Sequence, residues 1–321
     1  MHKYIRTSIA LLFSAVATAA IAQAWPNKPI KLVVPYPPGA STDAVARLVG
    51  QKVSEDLGQP VVVDNKAGAS GNIGSDFAAK SPADGYTLLM ATDATHTANS
   101  YLFKNFPYDP IKDFTPLTMG ARNIIVLVAL PSFPASNVRE LIDYAKKNPG
   151  KLSYGSAGNG SPHHLSGAMM NQMAGIDMVH VPYKGGGPAA TDVLGGQIPV
   201  IFSSLVTVMP QIQAGRLKAL AVTEKVRYPG LPNVQAVAET LPGFEMSSWL
   251  GFFAPANLPA PIATRLNTSL VKALTAPDVT AKLDAAGLLV VGNSAAQFAA
   301  QQKSDYENRG KLIKSIGLQP E

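Results

Sequence analysis

Short β-branched runs alternate with amphipathic segments along this chain, and no other feature restricts its fold as tightly. Ile30-Lys31-Leu32-Val33-Val34 reads as a strand, and the stretch from Pro35 to Gly39 reads as a turn. Ser41 or Thr42 can cap the next helix, whose apolar positions Val45, Leu48, Val49, Val53 and Leu57 keep helical spacing. Val61-Val62-Val63 and Tyr86-Thr87-Leu88-Leu89-Met90 supply two more strands. Leu152-Ser153-Tyr154 leads to a helix near Pro162, and Met178-Val179-His180-Val181 leads to one near Pro188. Pro199-Val200-Ile201-Phe202 and Ala219-Leu220-Ala221-Val222 read as buried strands. This order predicts an α/β protein with parallel sheets covered on both faces. Right-handed crossovers would gather the strand-to-helix loops on one edge. The last part is richer in helix, with helical periodicity from Ile262 to Leu274, Val279 to Ala286 and Ala295 to Ile316. Leu250–Ala254 and Leu288–Val291 read as strands beside these helices.

With 321 residues, 46% of them hydrophobic and 15% charged, the chain can bury the cores of two ordinary domains or one large one. The formal net charge is +6, but no run of five or six like charges occurs, which argues against a nucleic-acid arm. The absence of cysteine excludes disulfides, a thiol nucleophile and cysteine-ligated metal. Residues 1–24 hold His2, Lys3 and Arg6, no acidic side chain, an apolar stretch from Ile9 to Ala22, and a closing Ala22-Gln23-Ala24. That is the layout of a secretory signal peptide cleaved after Ala24, with an apolar core too short for a comfortable membrane span. The mature chain is expected to start near Trp25, soluble and exported; in a cell with two membranes that means the periplasm.

Familiar catalytic motifs are missing. Gly68-Ala69-Ser70-Gly71 has the wrong spacing for a nucleophile elbow, and Gly150-Lys151 lacks the rest of a phosphate loop. Gly158-Asn159-Gly160 lacks the third glycine of a dinucleotide fingerprint. His163, His164 and His180 have no carboxylate at ligand spacing, so neither a metal nor another cofactor is expected. Four strand-to-helix loops share a different character, rich in Gly, Ser, Thr and Pro and nearly free of charge. They run from Tyr36 to Asp43, Thr92 to His96, Gly155 to His164 and Tyr183 to Ala189. Helix N-termini offer unpaired N–H groups and a partial positive charge, glycines admit a ligand to the backbone, and hydroxyls add donors. Such loops suit a carboxylate without a full counter-charge. Each loop read alone is an ordinary connection, and Asp43 suits a helix N-terminus, Tyr36 and Tyr183 packing, and His164 a core. The stripe of Met169, Met170 and Met173 reads as core, and Trp249 as packing beneath a hinge.

These motifs, taken in order, resemble the extracytoplasmic solute receptors of the tripartite tricarboxylate transporters, the Bug proteins. The matching text includes Trp25-Pro26, Pro35-Tyr36-Pro37-Pro38-Gly39 with Thr42-Asp43, and Val63-Asp64-Asn65-Lys66-Ala67-Gly68. It continues with Pro82-Ala83-Asp84-Gly85-Tyr86, Tyr154-Gly155-Ser156-Ala157-Gly158-Asn159-Gly160, His180-Val181-Pro182-Tyr183-Lys184-Gly185 and Gly215-Arg216-Leu217-Lys218. The resemblance implies a two-lobed periplasmic binding protein of the Venus-flytrap type, each lobe a sheet flanked by helices. Lobe 1 would be discontinuous, residues 25–124 and 245–321, and lobe 2 would hold residues 125–244. The crossings fall near Asn123–Ile125 and Glu245–Ser247.

The same resemblance implies a small carboxylate gripped between the lobes by backbone, hydroxyls and water. The residues carried over are Tyr36, Gly39, Ser41 and Thr42 from the first loop, and Thr92 and Asp93 from the second. Gly158, Ser161, His164, Tyr183 and Gly187 follow from lobe 2. Many relatives carry an aspartate where this chain has Ser203. Loss of that charge favours a ligand without an ammonium group, an aliphatic or aromatic dicarboxylate, with Ser203 donating to its far end. The implied partner is a membrane permease met transiently by a monomeric receptor that performs no chemistry and binds no nucleic acid. Two rivals stand beside this reading, an exported hydrolase of small carboxylate esters and a module presenting ligand to a sensor kinase.

Overall fold

The computed structural model describes residues 25–39, 41–183 and 185–320; the expected signal peptide and its cleavage site lie outside the described residues. The first half of lobe 1 runs β1 (Ile30–Val34), α1 (Ser41–Leu57), β2 (Val61–Asn65), α2 (Asn72–Ala79) and β3 (Thr87–Thr92). A π-helical turn over Ala94–Ala98, α3 (Asn99–Leu102) and β4 (Phe114–Asn123) follow. Lobe 2 holds β5 (Ile125–Ala129), α4 (Val138–Lys147), β6 (Ser153–Ser156), α5 (Pro162–Ala174) and β7 (Val179–Pro182). It continues with α6 (Gly186–Leu194), β8 (Val200–Ser204), α7 (Leu205–Gln213) and β9 (Lys218–Val222). The chain then returns through β10 (Trp249–Pro255), α8 (Ala260–Leu274), α9 (Pro277–Ala285), β11 (Leu288–Val290) and α10 (Ala295–Ser315).

Two sheets result, a six-stranded one ordered β11-β4-β10-β3-β1-β2 and a five-stranded one ordered β7-β6-β8-β5-β9. The expectation of parallel sheets needs correction, because both are mixed. β1 pairs in parallel with β2 and β3, and β6 with β7 and β8, as strand–helix alternation requires. β10 runs antiparallel to β3 and β4, and β5 antiparallel to β8 and β9. The reason lies in the connections. β4 ends at Asn123 and β5 begins at Ile125, so the chain passes straight from one sheet to the other. A strand entering from the hinge runs outward, against neighbours whose loops lead back toward it. β10 enters the first sheet in the same way, and Asn123 N–H donates to Ser248 O (2.8 Å), tying the two crossings together.

Each sheet is buried on both faces. Leu32, Val34, Met90 and Phe252 pack under α1 and α8, while Val33, Leu89, Phe253 and Phe298 fill the opposite face. In lobe 2, Leu127, Tyr154, Phe202 and Leu165 form one face and Val126, Ile201, Val193 and Val208 the other. Contacts cross the expected division: Ala98 of lobe 1 and Ile313, near the end of α10, are both buried in the core of lobe 2. Ser315 Oγ donates to Gln172 Oε1 of α5 (3.2 Å) beside Ile313. The last helix therefore straps both lobes. Of the methionine stripe, Met170 is buried but Met173 is exposed, so the stripe is core on one side only.

Candidate functional site

A cavity of about 710 Å³ opens between the lobes, and both contribute to its wall. Lobe 1 supplies Tyr36, Ser41, Thr42, Ser70, Thr92, Asp93, Asn99, Ser248 and the near-terminal Leu318 and Gln319. Lobe 2 supplies the loop from Ala157 to His164 with His180, Gly185, Gly186, Ser204 and Thr207; Asn123 sits at the crossing. The first turns of α1, α5, α6 and α7 thus all contribute residues to one space, so four partly positive helix ends share it. No lining residue among the described residues is a lysine or arginine.

The first loop is held from below by Asp43. Its carboxylate accepts from Gly39 N–H (3.0 Å), Arg47 Nε (3.0 Å) and Asn65 Nδ2 (3.0 Å), and pairs with Arg47 Nη2 at 3.0 Å. The Arg47 bond, helped by the others, pulls Asp43 down to about 2 against the opposing effect of burial. Helix α1 begins at Ser41, so Ser41 and Thr42 occupy its first turn rather than cap it. Thr42 Oγ1 is buried without a hydrogen-bond partner. Tyr36 hydroxyl meets Thr92 Oγ1 at 3.0 Å and donates to Ser70 O at 3.4 Å. Burial raises the phenol to about 12, so it stays protonated.

Among the described residues Asp93 is the one carboxylate on the wall, and it is already engaged. Oδ1 accepts from Ser248 Oγ (2.9 Å) and Oδ2 from Arg309 Nη2 (3.3 Å). Arg309 reaches in from α10, donates to Ser247 O (3.0 Å) and also contacts Met246 Sδ. Burial pushes Asp93 up to about 6, with Arg309 and Ser248 opposing.

The lobe 2 loop is built on its own hydroxyls. Gly158 (φ 127°) and Gly160 (φ 70°) take backbone angles that a side chain would strain. Ser161 Oγ donates to Gly158 O (2.7 Å) and accepts from His164 N–H (3.2 Å), which caps α5. His164 Nδ1 accepts from Gly160 N–H (3.0 Å), and the His164 and His180 rings stack at 3.7 Å and 8°. His163 Nε2 lies 3.1 Å from Ser204 Oγ, which in turn accepts from Asn123 Nδ2 (2.9 Å). Burial lowers all three histidines to about 4, so they are neutral at pH 7.

Of the residues expected from sequence, Tyr36, Ser41, Thr42, Thr92, Asp93, Gly158, Ser161 and His164 share the cavity wall. Gly39 does not: it is exposed, and its N–H is spent on Asp43. Tyr183 turns its hydroxyl to Asp192 (2.9 Å) on α6, and Gly187 is exposed beyond the wall. Ser203 is fully buried off the wall, because alternation along β8 turns Ser204 to the cavity instead. The set carried over from sequence left out Ser70, Asn99, Asn123, His180, Ser204, Thr207 and Ser248, and also His163 and Gly186 although they lie in loops named there. The alternation of β8 could have separated Ser203 from Ser204; Asn123 and Ser248 carry no local signal and depend on the crossings.

Known proteins share this architecture. A family model described as the tripartite tricarboxylate transporter family receptor matches residues 45–318. BugT of Bordetella pertussis is 36% identical over 286 residues, covering 87% of this chain and 88% of that protein. A Rhodopseudomonas palustris protein solved with adipate superposes with a TM-score of 0.83 at 36% identity, covering 92% of this chain and 100% of the other. MatC from the same organism, with bound malate, superposes with a TM-score of 0.77 at 31% identity, over 90% and 100%.

Proposed function

Because the chain belongs to the receptor family of the tripartite tricarboxylate transporters, we propose that it captures a small carboxylate in the cavity between its lobes. It closes around that ligand by hinge motion and delivers it to a membrane permease of the same system. The observation that carries this reading is the convergence of four helix N-termini on a wall that, among the described residues, holds no lysine or arginine. Such a wall stabilises an anion by N–H groups and hydroxyls, and bridging waters extend their reach. A dicarboxylate is favoured. Ammonium groups need an acceptor, and Asp93 already holds Ser248 and Arg309. The relatives solved with adipate and malate support this class of ligand.

The ligand contacts are assigned to Tyr36, Ser41, Thr42 and Thr92 from lobe 1 and to Gly158, Ser161 and His164 from lobe 2. Ser204 takes the place first given to Ser203 at the far end. The lobes are residues 25–124 with 245–321, and 125–244, with α10 packing on both. The receptor works as a monomer in the periplasm, after cleavage behind Ala24. The reading requires no chemical step, and the hydroxyl proton of Ser161 is given to Gly158 O. Ligand contacts to both lobes would favour the closed state, which is all the mechanism requires.

Thermal unfolding of residues 25–321 against succinate, malate, adipate, benzoate and amino acids tests the reading. A binding acid at a hundredfold excess over its Kd adds about 2.7 kcal/mol of stability. The reading requires a shift with at least one dicarboxylate. No shift with any acid, after co-purified ligand is removed, sinks it, and ester turnover abolished by Ser161→Ala would put a hydrolase in its place.

A further inference from the structure

We propose that His164 and His180 form a stacked, uncharged pair in which His164 offers Nε2–H to the ligand and His180 positions it. The inference rests on the carboxylate reading of the cavity and adds how lobe 2 recognises the acid.

The tautomer follows from one bond. Gly160 N–H donates to His164 Nδ1 at 3.0 Å. A backbone N–H cannot accept, so Nδ1 must be the unprotonated nitrogen. A neutral imidazole holds one ring proton, which then sits on Nε2. Protonating the ring would set two N–H groups against each other, so the same bond opposes the charged form. The φ of Gly160, 70°, is part of the arrangement, because it lets the loop bring this N–H to the ring.

His180 holds the plane. Its ring lies 3.7 Å from that of His164 at an interplanar angle of 8°, and its Nε2 meets Ser156 Oγ at 2.7 Å. Ser156 is itself bound to both polar atoms of Gly158, accepting from N–H (3.1 Å) and donating to O (3.2 Å). The stack is therefore anchored to the same glycine loop that faces the cavity, and both rings line it. A ring pressed face to face against another cannot rotate without losing that contact. His164 is thus a fixed donor, suited to an acceptor-only oxygen such as an ionised carboxylate and unsuited to an ammonium. That makes this point of the wall a place for a carboxylate oxygen and not for an ammonium group.

The test combines nitrogen NMR of the full mature chain, labelled at histidine, with titration of succinate, malate and adipate. Without ligand at pH 7, His164 is expected to show an unprotonated Nδ1 and a protonated Nε2. The Nε2–H resonance should move on binding. His164→Asn keeps an acceptor near Gly160 N–H but cannot reach the cavity, and should weaken the best of these acids at least tenfold with unchanged melting temperature. His180→Phe should stay within threefold of the parent, whereas His180→Ala should lose at least fivefold. A proton on Nδ1 of His164, or parent-like affinity in His164→Asn, overturns the proposal. If the parent chain binds none of the acids, the carboxylate reading itself fails; the ligand-free spectrum still decides the tautomer.

Discussion

Replacing Asp43 by Asn tests whether the first loop is held in place by charge. The carboxylate accepts four bonds, two of them from Arg47, and its pKa falls from 3.8 to about 2. A shift of that size corresponds to about 2.4 kcal/mol of folding stability. Arg47 is 54% exposed, so solvent screening lowers the expected loss to about 1–2 kcal/mol. The folded pKa is depressed, so this stability is present above the unfolded value of 3.8 and disappears as pH falls toward about 2. Urea unfolding of parent and Asp43→Asn chains should differ by about 1–2 kcal/mol at pH 7 and converge near pH 2. Carboxylate affinity should fall as well, because Gly39 N–H loses its anchor and the loop bearing Tyr36, Ser41 and Thr42 loosens. A difference below about 0.5 kcal/mol at pH 7, or one that persists unchanged at pH 2, would refute the electrostatic tether.

Asp93→Ala should destabilise the chain by about 3–5 kcal/mol, because Arg309 keeps a buried charge without its partner. The double variant with Arg309→Met should recover much of that loss in urea unfolding. Gly167→Ala drives a methyl into the Tyr154 ring and should cost about 1–3 kcal/mol by overpacking α5 on β6. Tyr183→Phe removes a bond to Asp192 outside the cavity, so calorimetric titration should return the parent affinity for the best-bound acid. At the hinge, burial pushes Glu224 up to about 7 despite Arg122 at 3.2 Å. Its folded pKa is raised, so its favourable contribution is lost as pH climbs from 4.5 through about 7, and Glu224→Gln should gain on the parent in stability between pH 5 and 8.

Much of the site was legible because its chemistry sits in local sequence. A strand followed by Gly, Ser and Thr and then a helical period announces a helix N-terminus; that signal marked the loops, and the resemblance singled out Ser41, Thr42, Ser161 and His164 within them. What stayed hidden depends on geometry between distant segments. Ser203 and Ser204 differ only in which face of β8 they occupy, and the resemblance fixed attention on the first while the pleat turned the second to the cavity. Asn123 and Ser248 reach the wall because two crossings lie side by side, 125 residues apart in sequence but joined by one backbone bond. The antiparallel course of β5 and β10 has the same origin: local periodicity sets strand and helix, while direction is set by which lobe the chain arrives from. The burial of Ile313 in lobe 2 is invisible to periodicity as well, since a helix pattern does not name the core its last turn meets.

Among the described residues the cavity wall carries no lysine or arginine, which suits a receptor that must also let go. Asp43 is bound to Arg47, and Asp93 to Arg309, so neither cation is free to seize an anion. In the proposed reading an incoming carboxylate meets helix ends, hydroxyls and neutral imidazoles, each worth little alone. Those groups are divided between lobes, with Tyr36, Thr42 and Thr92 on one side and Gly158, Ser161 and His164 on the other. Their sum is collected only when the lobes stand close, so affinity and closure are the same quantity seen from two sides. Separating the lobes returns half of those donors to water, which replaces the ligand at small cost. A lysine on the wall would break that balance by holding the acid in the open state. The same logic predicts that a charge-adding change such as Ser204→Lys tightens binding of a dicarboxylate yet slows its release in stopped-flow measurements. An unchanged off-rate together with tighter binding would show that closure, and not the composition of the wall, sets the residence time.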